Sequence, residues 1–312
     1  MKFEKAIEEY IKSRSSRLSD NTLKVYQCNL KKFAAWTGEV EIERLTDSHV
    51  DGFLNYLKTV YTEKTRNNYA NTLRAFFKFY SAKRQSHVAW ELIQGPRIPE
   101  RFPEFINREQ FELIDECLDE DEYYELTKKV IFHLLWNTGM RISELLSLNL
   151  EDVHVQKNHA YVTTLKTKKL RMVMWNDECH RLLTKYLGIR ICLNQRQELF
   201  QTPENPRNRN RRTRLTPRTV QRWCKELEEF LGFRIHPHAF RHGTCHRILN
   251  QGGNRHQVQA IAGHSSITSS EIYTRLNLNE QAQLLRQFLP EERKQQVQQK
   301  KRMVDSPYGY AA

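Results

Sequence analysis

Six residues in the second half of the chain have the chemical types that transfer of a phosphodiester to a tyrosine requires. They are Arg141, Lys166, His238, Arg241, His264 and Tyr273. During such a transfer the phosphorus becomes five-coordinate and its non-bridging oxygens gain negative charge, which arginine stabilises with paired hydrogen bonds and a permanent positive charge. The leaving deoxyribose oxygen needs a proton from a lysine or histidine, and the tyrosine must lose its own. The six residues supply one group for each role.

Taken one at a time, these residues also have simpler interpretations. Arg141 lies three residues before Glu144 and can form a surface ion pair with it on one helix. Lys166 belongs to a lysine-rich turn, and a turn exposed to solvent would have such lysines without any chemical role. A tyrosine such as Tyr273 is often only an aromatic residue packed against its neighbours. The combination of residue types, rather than any single residue, therefore indicates chemistry.

The segment HPHAFRHGTCH has three interpretations. A metal site would use His238, His242, Cys245 and His246, which recur on one side of a helix. A single helix face does not readily arrange four ligands as a tetrahedron, and no second cluster supplies others, so we expect no metal. The histidines can also be core or surface residues. The third interpretation pairs His238 with Arg241 near a helix start, where backbone N–H groups favour a phosphate.

Four sequence blocks contain the six residues, and together they resemble the tyrosine recombinase, or phage integrase, family. The blocks are TGMRISELLSLNLEDV, LKTKKLRMV, HPHAFRHGTCHRIL and AGHSSITSSEIYTRLN. Arg241 follows His238 by three residues, His264 follows Arg241 by 23, and Tyr273 follows His264 by nine. The order and spacing of the blocks agree with the family, and the resemblance covers most of the chain.

The block around Lys166 departs from the family pattern. Leu165 and Thr167 flank this lysine, where the family often has glycine. Lys168 and Lys169 lie in the same turn and therefore remain alternatives for its role.

The resemblance implies how the phosphate is attacked and held. Tyr273 attacks a scissile DNA phosphate, forming a 3′-phosphotyrosyl link and releasing a 5′-hydroxyl. Arg141 and Arg241 hold the non-bridging oxygens, and His264 assists with a hydrogen bond.

The resemblance also implies how the protons move. His238 accepts or positions the proton of the tyrosine, and Lys166 acts as the general acid for the 5′-oxygen. Because the bond energy is retained in the phosphotyrosyl ester, the reaction is expected to need neither a metal nor another cofactor.

The expected function is that of a site-specific DNA recombinase. In this family four protomers exchange strands through a Holliday junction, so the expected partners are double-stranded DNA with an inverted-repeat site and a homo-tetramer, or a related recombinase. A DNA translocase or an excision factor is a candidate accessory partner. The expected role is resolution of chromosome or plasmid dimers, or integration and excision of a mobile element. The compact chain shows no extra arm-binding domain, which favours an Xer-like or small-integrase architecture.

Two other classes remain as alternatives. A type IB topoisomerase shares much of this chemistry, but it would relax supercoiled DNA as a monomer without a paired site. A non-catalytic DNA-binding relative would keep the fold without turnover, although the complete set of six candidate residues argues against it.

The elements that must position these residues begin with an all-helical N-terminal part. Apolar residues recur at three-to-four spacing in four stretches of residues 1–92, which predicts four amphipathic helices. Gly38 can end the second helix and Thr46 can cap the third. The resemblance identifies this part as a SAM-like core-binding domain that binds DNA.

A proline-rich linker over residues 93–104 separates this domain from a catalytic tyrosine recombinase domain over residues 105–290. There, Asn107 is expected to cap a helix with Gln110, and helices continue to about Leu148. β-Branched, alternating segments then predict short strands up to Trp175, with a hairpin turn at the lysines, before helices resume. The expected fold is therefore mainly α with a small antiparallel β-sheet, and residues 291–312 form a C-terminal tail.

The charge of the chain indicates a polyanionic partner. It contains 50 Lys and Arg against 37 Asp and Glu, which gives a net charge of +13 and a pI of about 9.5. An arginine-rich loop after Pro203 closes at Thr216–Pro217, a helix N-cap and its first residue. The predicted phosphate contacts in this loop are Arg207, Arg209, Arg211, Arg212 and Arg214, with a solvated loop as the alternative.

Composition also excludes several classes. No run of about 18 apolar residues is present, and the charged N-terminus MKFEKAIEEYIKSR does not resemble a signal peptide. The six cysteines contain no C-x-x-C pair, which argues against a disulfide framework or a zinc ribbon. We therefore expect a cytoplasmic, DNA-associated protein with no membrane partner.

Overall fold

The computed structural model describes residues 1–38, 40–99, 102–164, 170–193, 196–202 and 213–262. The chain divides into two compact units between residues 101 and 102. Within the described ranges, no helix is long and apolar enough to cross a membrane.

The N-terminal unit contains the four helices that the apolar spacing predicts. They are α1 (Phe3–Arg14), α2 (Asp20–Thr37), α3 (Asp47–Val60) and α4 (Glu63–Ala82), with short 3-10 turns at Ile42–Arg44 and Trp90–Leu92. Gly38 follows α2 with φ of 75°, a value that glycine adopts without strain. Thr46 and His49 form a capping box at the start of α3.

Aromatic rings fill the core of this unit. The ring of Phe33 lies edge-on to Phe3 and Phe53, at 5.6 and 5.1 Å between centroids. Buried polar contacts also join the helices: Asn29 on α2 donates a hydrogen bond of 3.0 Å to Thr72 on α4, and the Tyr80 hydroxyl on α4 donates one of 2.8 Å to the Ala6 carbonyl on α1. The four helices therefore share one core, and polar groups buried in it form hydrogen bonds.

The C-terminal unit is mainly helical. In chain order its elements are α5 (Arg108–Glu116), α6 (Tyr123–Thr138), α7 (Ile142–Ser147), β1 (Val153–His154), β2 (His159–Thr163), β3 (Leu170–Met174), α8 (Asp177–Leu193), α9 (Pro217–Leu231), α10 (Pro237–Asn250) and α11 (Arg255–Ala262), with 3-10 turns at Leu150–Asp152 and Val155–Lys157. The strands form an antiparallel sheet in the order β1-β2-β3, with Tyr161 opposite Met172. A mainly α fold with a small antiparallel sheet is thus confirmed.

Helix α6 runs through the centre of this unit. Most of its residues are buried, and it packs against both α8 and α10. Such a helix, apolar on nearly all sides, is typical of a central core element. The position of its C-terminal end therefore determines where the following turn and α7 lie.

Local capping agrees with the sequence. Asn107 and Gln110 exchange hydrogen bonds at the start of α5, at 2.8 and 3.0 Å. Thr216 accepts a hydrogen bond from the backbone of Thr219 and is followed by Pro217 at the start of α9. The lysine-rich turn at 166–169, the arginines at 207–212 and the tail at 291–312 lie outside the described residues.

Candidate active site

Arg141 lies at a sharp turn between two helices. Helix α6 ends at Thr138 and is followed by Gly139, whose φ of 60° and ψ of 20° belong to the left-handed region that glycine favours. Two residues later Arg141 is the N-cap of α7, and its side chain is 33% exposed. The turn therefore presents one guanidinium partly to solvent at the end of a rigid central helix.

The carboxylate beside Arg141 is fully buried. Glu144 accepts hydrogen bonds from the backbone N–H of Arg141 at 3.0 Å and from its Nη1 at 2.9 Å. Its second partner is Nη2 of Arg171 on β3, at 2.8 Å. The Arg141–Glu144 pair suggested by sequence is therefore present, but its carboxylate lies in the interior rather than on the surface.

Two arginines keep this buried carboxylate ionised. Burial alone would raise the pKa of Glu144, but the hydrogen bond from the Arg141 backbone and the charges of Arg171 and Arg141 outweigh it, so the pKa lies below its ordinary value. An ionised Glu144 is a fixed acceptor, and it restricts the orientation of the Arg141 guanidinium.

Arg241 reaches the same turn from another helix. Helix α10 begins with His236 as N-cap, whose Nδ1 accepts a hydrogen bond from the Ala239 backbone at 3.1 Å. One turn into the helix, Arg241 is only 3% exposed and donates from Nη1 to the Gly139 carbonyl at 2.7 Å. The structure therefore brings together Arg141 and Arg241, which are 100 residues apart in sequence.

Arg241 keeps its positive charge and one unused donor. Burial, reinforced by the charge of Arg141, lowers the pKa of Arg241 to about 10, which leaves it protonated at neutral pH. Its Nη2 is buried and has no hydrogen-bond partner among the described residues. A buried, unpaired N–H group is costly, and an anionic oxygen would satisfy it.

Helix α10 is fastened to the end of α6 by residues spaced three apart. Beyond Arg241, the Thr244 hydroxyl donates to the Trp136 carbonyl at 2.8 Å, and Nη2 of Arg247 donates to the same carbonyl. The Arg247 guanidinium also stacks over the Trp136 ring at 3.7 Å. These contacts hold α10 in one register on α6, so Arg241 meets the Gly139 carbonyl.

His238 lies in the first turn of α10 and reaches solvent. Partial desolvation, followed by the charges of Arg241, His236 and Arg141, lowers the pKa of His238 below its ordinary value. Its ring is 6.3 Å from that of His242, whose pKa burial lowers to about 4. A neutral His238 beside two arginines can accept a proton.

The metal interpretation of α10 finds no support in the side-chain directions. Cys245 is fully buried against Leu249 and Val258, whereas His246 stacks on Phe105 at 4.2 Å. Over the described ranges, no group of three or more His, Cys, Asp or Glu residues is arranged to hold a metal ion.

Three predicted site residues, Lys166, His264 and Tyr273, lie outside the described residues. The elements beside two of them are described. Lys166 belongs to the connection between β2 and β3, and α11 ends at Ala262, two residues before His264. Nη1 of Arg171 on β3 donates to the carbonyl of Ile261 on α11, at 3.4 Å.

Arg214 has a role that the sequence did not predict. Its Nη1 donates to the carbonyls of Leu146 and Leu148, both at 3.0 Å, and its Nη2 donates to Asn149 at 2.6 Å. These bonds fasten the end of α7, so we assign Arg214 a structural role. The other predicted phosphate contacts, Arg207, Arg209, Arg211 and Arg212, lie outside the described residues.

Sequence reasoning did not identify two further arginines near the pair: Arg171, which binds Glu144, and Arg247, which binds α6. Arg171 lies two residues before Val173, so the two side chains share the core-facing side of β3. An arginine on the buried face of a strand is unusual, and this was the signal that the sequence offered. Arg247 had no such signal, because its contact with Trp136 joins residues 111 apart in the chain.

A helical N-terminal unit is followed by a unit in which two arginines from different helices meet at one turn, an arrangement that can bind a phosphate. The sequence matches the Phage integrase family over residues 104–280 and the Phage integrase N-terminal SAM-like domain over residues 4–85. The chain therefore belongs to the phage integrase family, and its reaction is the site-specific recombination of DNA by a tyrosine recombinase.

Known relatives cover most of the chain. It is 29% identical over 268 residues to tyrosine recombinase XerC of Thermodesulfovibrio yellowstonii, covering 83% of this chain and 87% of the relative. It is 27% identical over 264 residues to tyrosine recombinase XerA of Pyrococcus furiosus, covering 83% and 84%. The fold resembles the crystal structure of XerH site-specific recombinase bound to palindromic difH substrate, with a TM-score of 0.69, 20% identity and coverage of 90% and 83%.

Proposed function

We propose that Arg141 and Arg241 together bind the scissile phosphate and that Tyr273 attacks it. The observation that carries this proposal is the buried Nη2 of Arg241, which has no hydrogen-bond partner among the described residues. The charge of Arg141 helps to lower the pKa of Arg241, so the two guanidiniums interact. A non-bridging phosphate oxygen supplies the missing acceptor.

The reaction balances without an outside reagent. The bond between the Tyr273 oxygen and phosphorus forms as the bond between phosphorus and the 5′-oxygen breaks. The tyrosine proton passes to His238, and Lys166 gives a proton to the leaving 5′-oxygen. Attack by another 5′-hydroxyl reverses these steps and reseals the strand. His264 donates a hydrogen bond to a non-bridging oxygen throughout.

The charges of the described residues suit this reaction. Arg141, Arg171 and Arg241 carry three positive charges, and the buried Glu144 offsets one of them. The remaining positive charge faces a phosphate whose negative charge grows in the transition state. Since the hydrogen bonds of Glu144 and of the Gly139 carbonyl already fix two of the guanidiniums, little reorganisation is needed during the reaction.

The proposed setting is resolution of chromosome or plasmid dimers. XerC and XerA relatives that each cover 83% of this chain support it, and integration or excision by a mobile element is the second candidate. The proposed assembly is a homo-tetramer on an inverted-repeat site, with a translocase or excision factor as an accessory partner. Residues 1–92 would serve as the core-binding domain, residues 93–104 as the linker, residues 105–290 as the catalytic domain and residues 291–312 as a tail.

Covalent trapping tests this proposal. Wild type, Tyr273→Phe and the control Tyr161→Phe are incubated with supercoiled and fragmented DNA of the source replicon, and DNA attached to denatured protein is sequenced. Tyr161 is a suitable control because it is exposed on the outer face of the sheet. We expect adducts at one inverted-repeat site with wild type and Tyr161→Phe, and none with Tyr273→Phe.

The trapped sequences distinguish the alternatives. A site on the chromosome or on a plasmid supports dimer resolution, whereas a site at the end of a mobile element supports integration. Scattered adducts with sequence-independent plasmid relaxation would indicate a topoisomerase. Adducts that persist in Tyr273→Phe would exclude this tyrosine as the nucleophile.

A further inference from the structure

Arg171 lies in one of the sequence blocks that carry the site, contacts a second block, and contacts the residue that precedes a third. From β3 its Nη2 bonds to Glu144 at 2.8 Å, in the block of Arg141, and its Nη1 bonds to the Ile261 carbonyl at 3.4 Å, three residues before His264. Arg171 itself follows Lys166 by five residues. Its side chain is 12% exposed, and its Nε is buried without a partner among the described residues.

The charge of Glu144 makes Arg171 important for Arg141. Glu144 is fully buried and is shared by the two arginines, one carboxylate oxygen bonding to each side chain. Without Arg171, the whole charge of the carboxylate would be balanced by Arg141 alone. A second hydrogen bond from the Arg141 guanidinium to Glu144 would then become favourable, because a buried carboxylate with unused acceptors is costly.

We propose that Arg171 is a positioning residue that balances Glu144 and thereby keeps the charge and the outer donors of Arg141 available to the phosphate. This inference rests on the proposed function of Arg141. It assigns to Arg171 no contact with the DNA. The guanidinium acts through Glu144 on Arg141, the phosphate-binding group, and its long hydrogen bond to the Ile261 carbonyl also links β3 to α11.

Loss of Arg171 should therefore slow cleavage while leaving DNA affinity unchanged. Direct removal of a transition-state donor costs about 10²- to 10³-fold in rate, so an indirect effect through Arg141 is expected at about 10- to 100-fold. The deficit should depend on substrate charge. A methylphosphonate at the cleavage position has no anionic oxygen, and its transition state requires less positive charge.

The test compares single-turnover adduct formation on two duplexes that carry the trapped site, one with the natural phosphate and one with a methylphosphonate. Arg171→Met is the test variant, and Arg181→Met is the matched control. Arg181 is a half-exposed arginine of the same unit, paired with Glu120 and Glu178. We expect Arg171→Met to be about 10- to 100-fold slower than wild type on phosphate and within about threefold on methylphosphonate. The control should match wild type on both.

A double variant separates charge from folding. E144Q/R171M removes the carboxylate together with its partner, so we expect faster cleavage than with Arg171→Met alone, and it replaces Arg171→Met if that variant does not fold. Equal deficits on the two duplexes, or a double variant as slow as the single one, would reduce Arg171 to a purely structural role and overturn the inference. Absence of adducts with wild type would instead refute the proposed function.

Discussion

Replacement of Arg241 by lysine tests the phosphate-binding role quantitatively. The arginine donates to the Gly139 carbonyl through Nη1 and retains a buried, unpaired Nη2. A lysine has one nitrogen on a flexible stem, so it does not reproduce both contacts with the same geometry. The loss of one charge-assisted hydrogen bond costs about 1.5–3 kcal/mol, which is about a 10- to 150-fold lower cleavage rate.

The same surroundings predict a pH dependence for Arg241→Lys. The surroundings of Arg241 lower its pKa from the ordinary value to about 10, mainly through burial and then through the charge of Arg141. Burial and the charge of Arg141 would also lower the pKa of a lysine at this position below its ordinary value of about 10.4. Because lysine is charged only below its pKa, the activity of the variant relative to wild type should fall as the pH rises.

The assay is single-turnover adduct formation on the trapped site between pH 6.5 and 9.5, expressed as the ratio of variant to wild type at each pH. The ratio removes the titration of groups that both proteins share. Arg181→Lys, at the exposed ion-pair cluster, is the control and should give a ratio near one throughout. A ratio for Arg241→Lys that does not fall with rising pH would show that a positive charge at this position is not needed for cleavage.

Further substitutions test the buried carboxylate, the turn at Gly139 and the arginine-rich loop. Glu144→Gln should lower the stability of the C-terminal unit by about 3 kcal/mol at pH 7, and calorimetry should show this difference disappearing as the pH falls through the lowered pKa of Glu144. Gly139→Ala should cost about 1–2 kcal/mol at its φ of 60°, whereas Gly188→Ala, in a helix with open space around it, should stabilise slightly. Arg211→Glu should weaken DNA binding and reduce its salt slope by about one, whereas Arg214→Met should lower the melting temperature and leave the salt slope unchanged.

The elements that sequence predicts well are those specified by neighbours along the chain. The capping box of Asn107 and Gln110 closes within three residues, as does the cap that Thr216 provides for α9. The positive φ of Gly38 follows from the need to end α2 in a conformation that glycine adopts readily. Helical spacing of apolar residues likewise places the four N-terminal helices.

Contacts between distant residues were not predictable in this way. Arg171 meets Glu144 across 27 residues, Arg214 meets Leu146 across 68, and Arg247 meets the Trp136 carbonyl across 111. Each is a polar side chain whose partner is decided by tertiary packing, not by local spacing. Resemblance to the family indicated Arg141, His238 and Arg241, but their shared turn emerges only from the packing of α10 on α6.

Identification of the amino acid that carries the DNA tests directly whether Tyr273 is the nucleophile. Trapped adducts are digested with nuclease and trypsin, and the modified peptide is sequenced by mass spectrometry. We expect a nucleotide on Tyr273, the single tyrosine of the tryptic peptide that spans residues 256–275. A nucleotide on any other residue would exclude Tyr273 as the nucleophile.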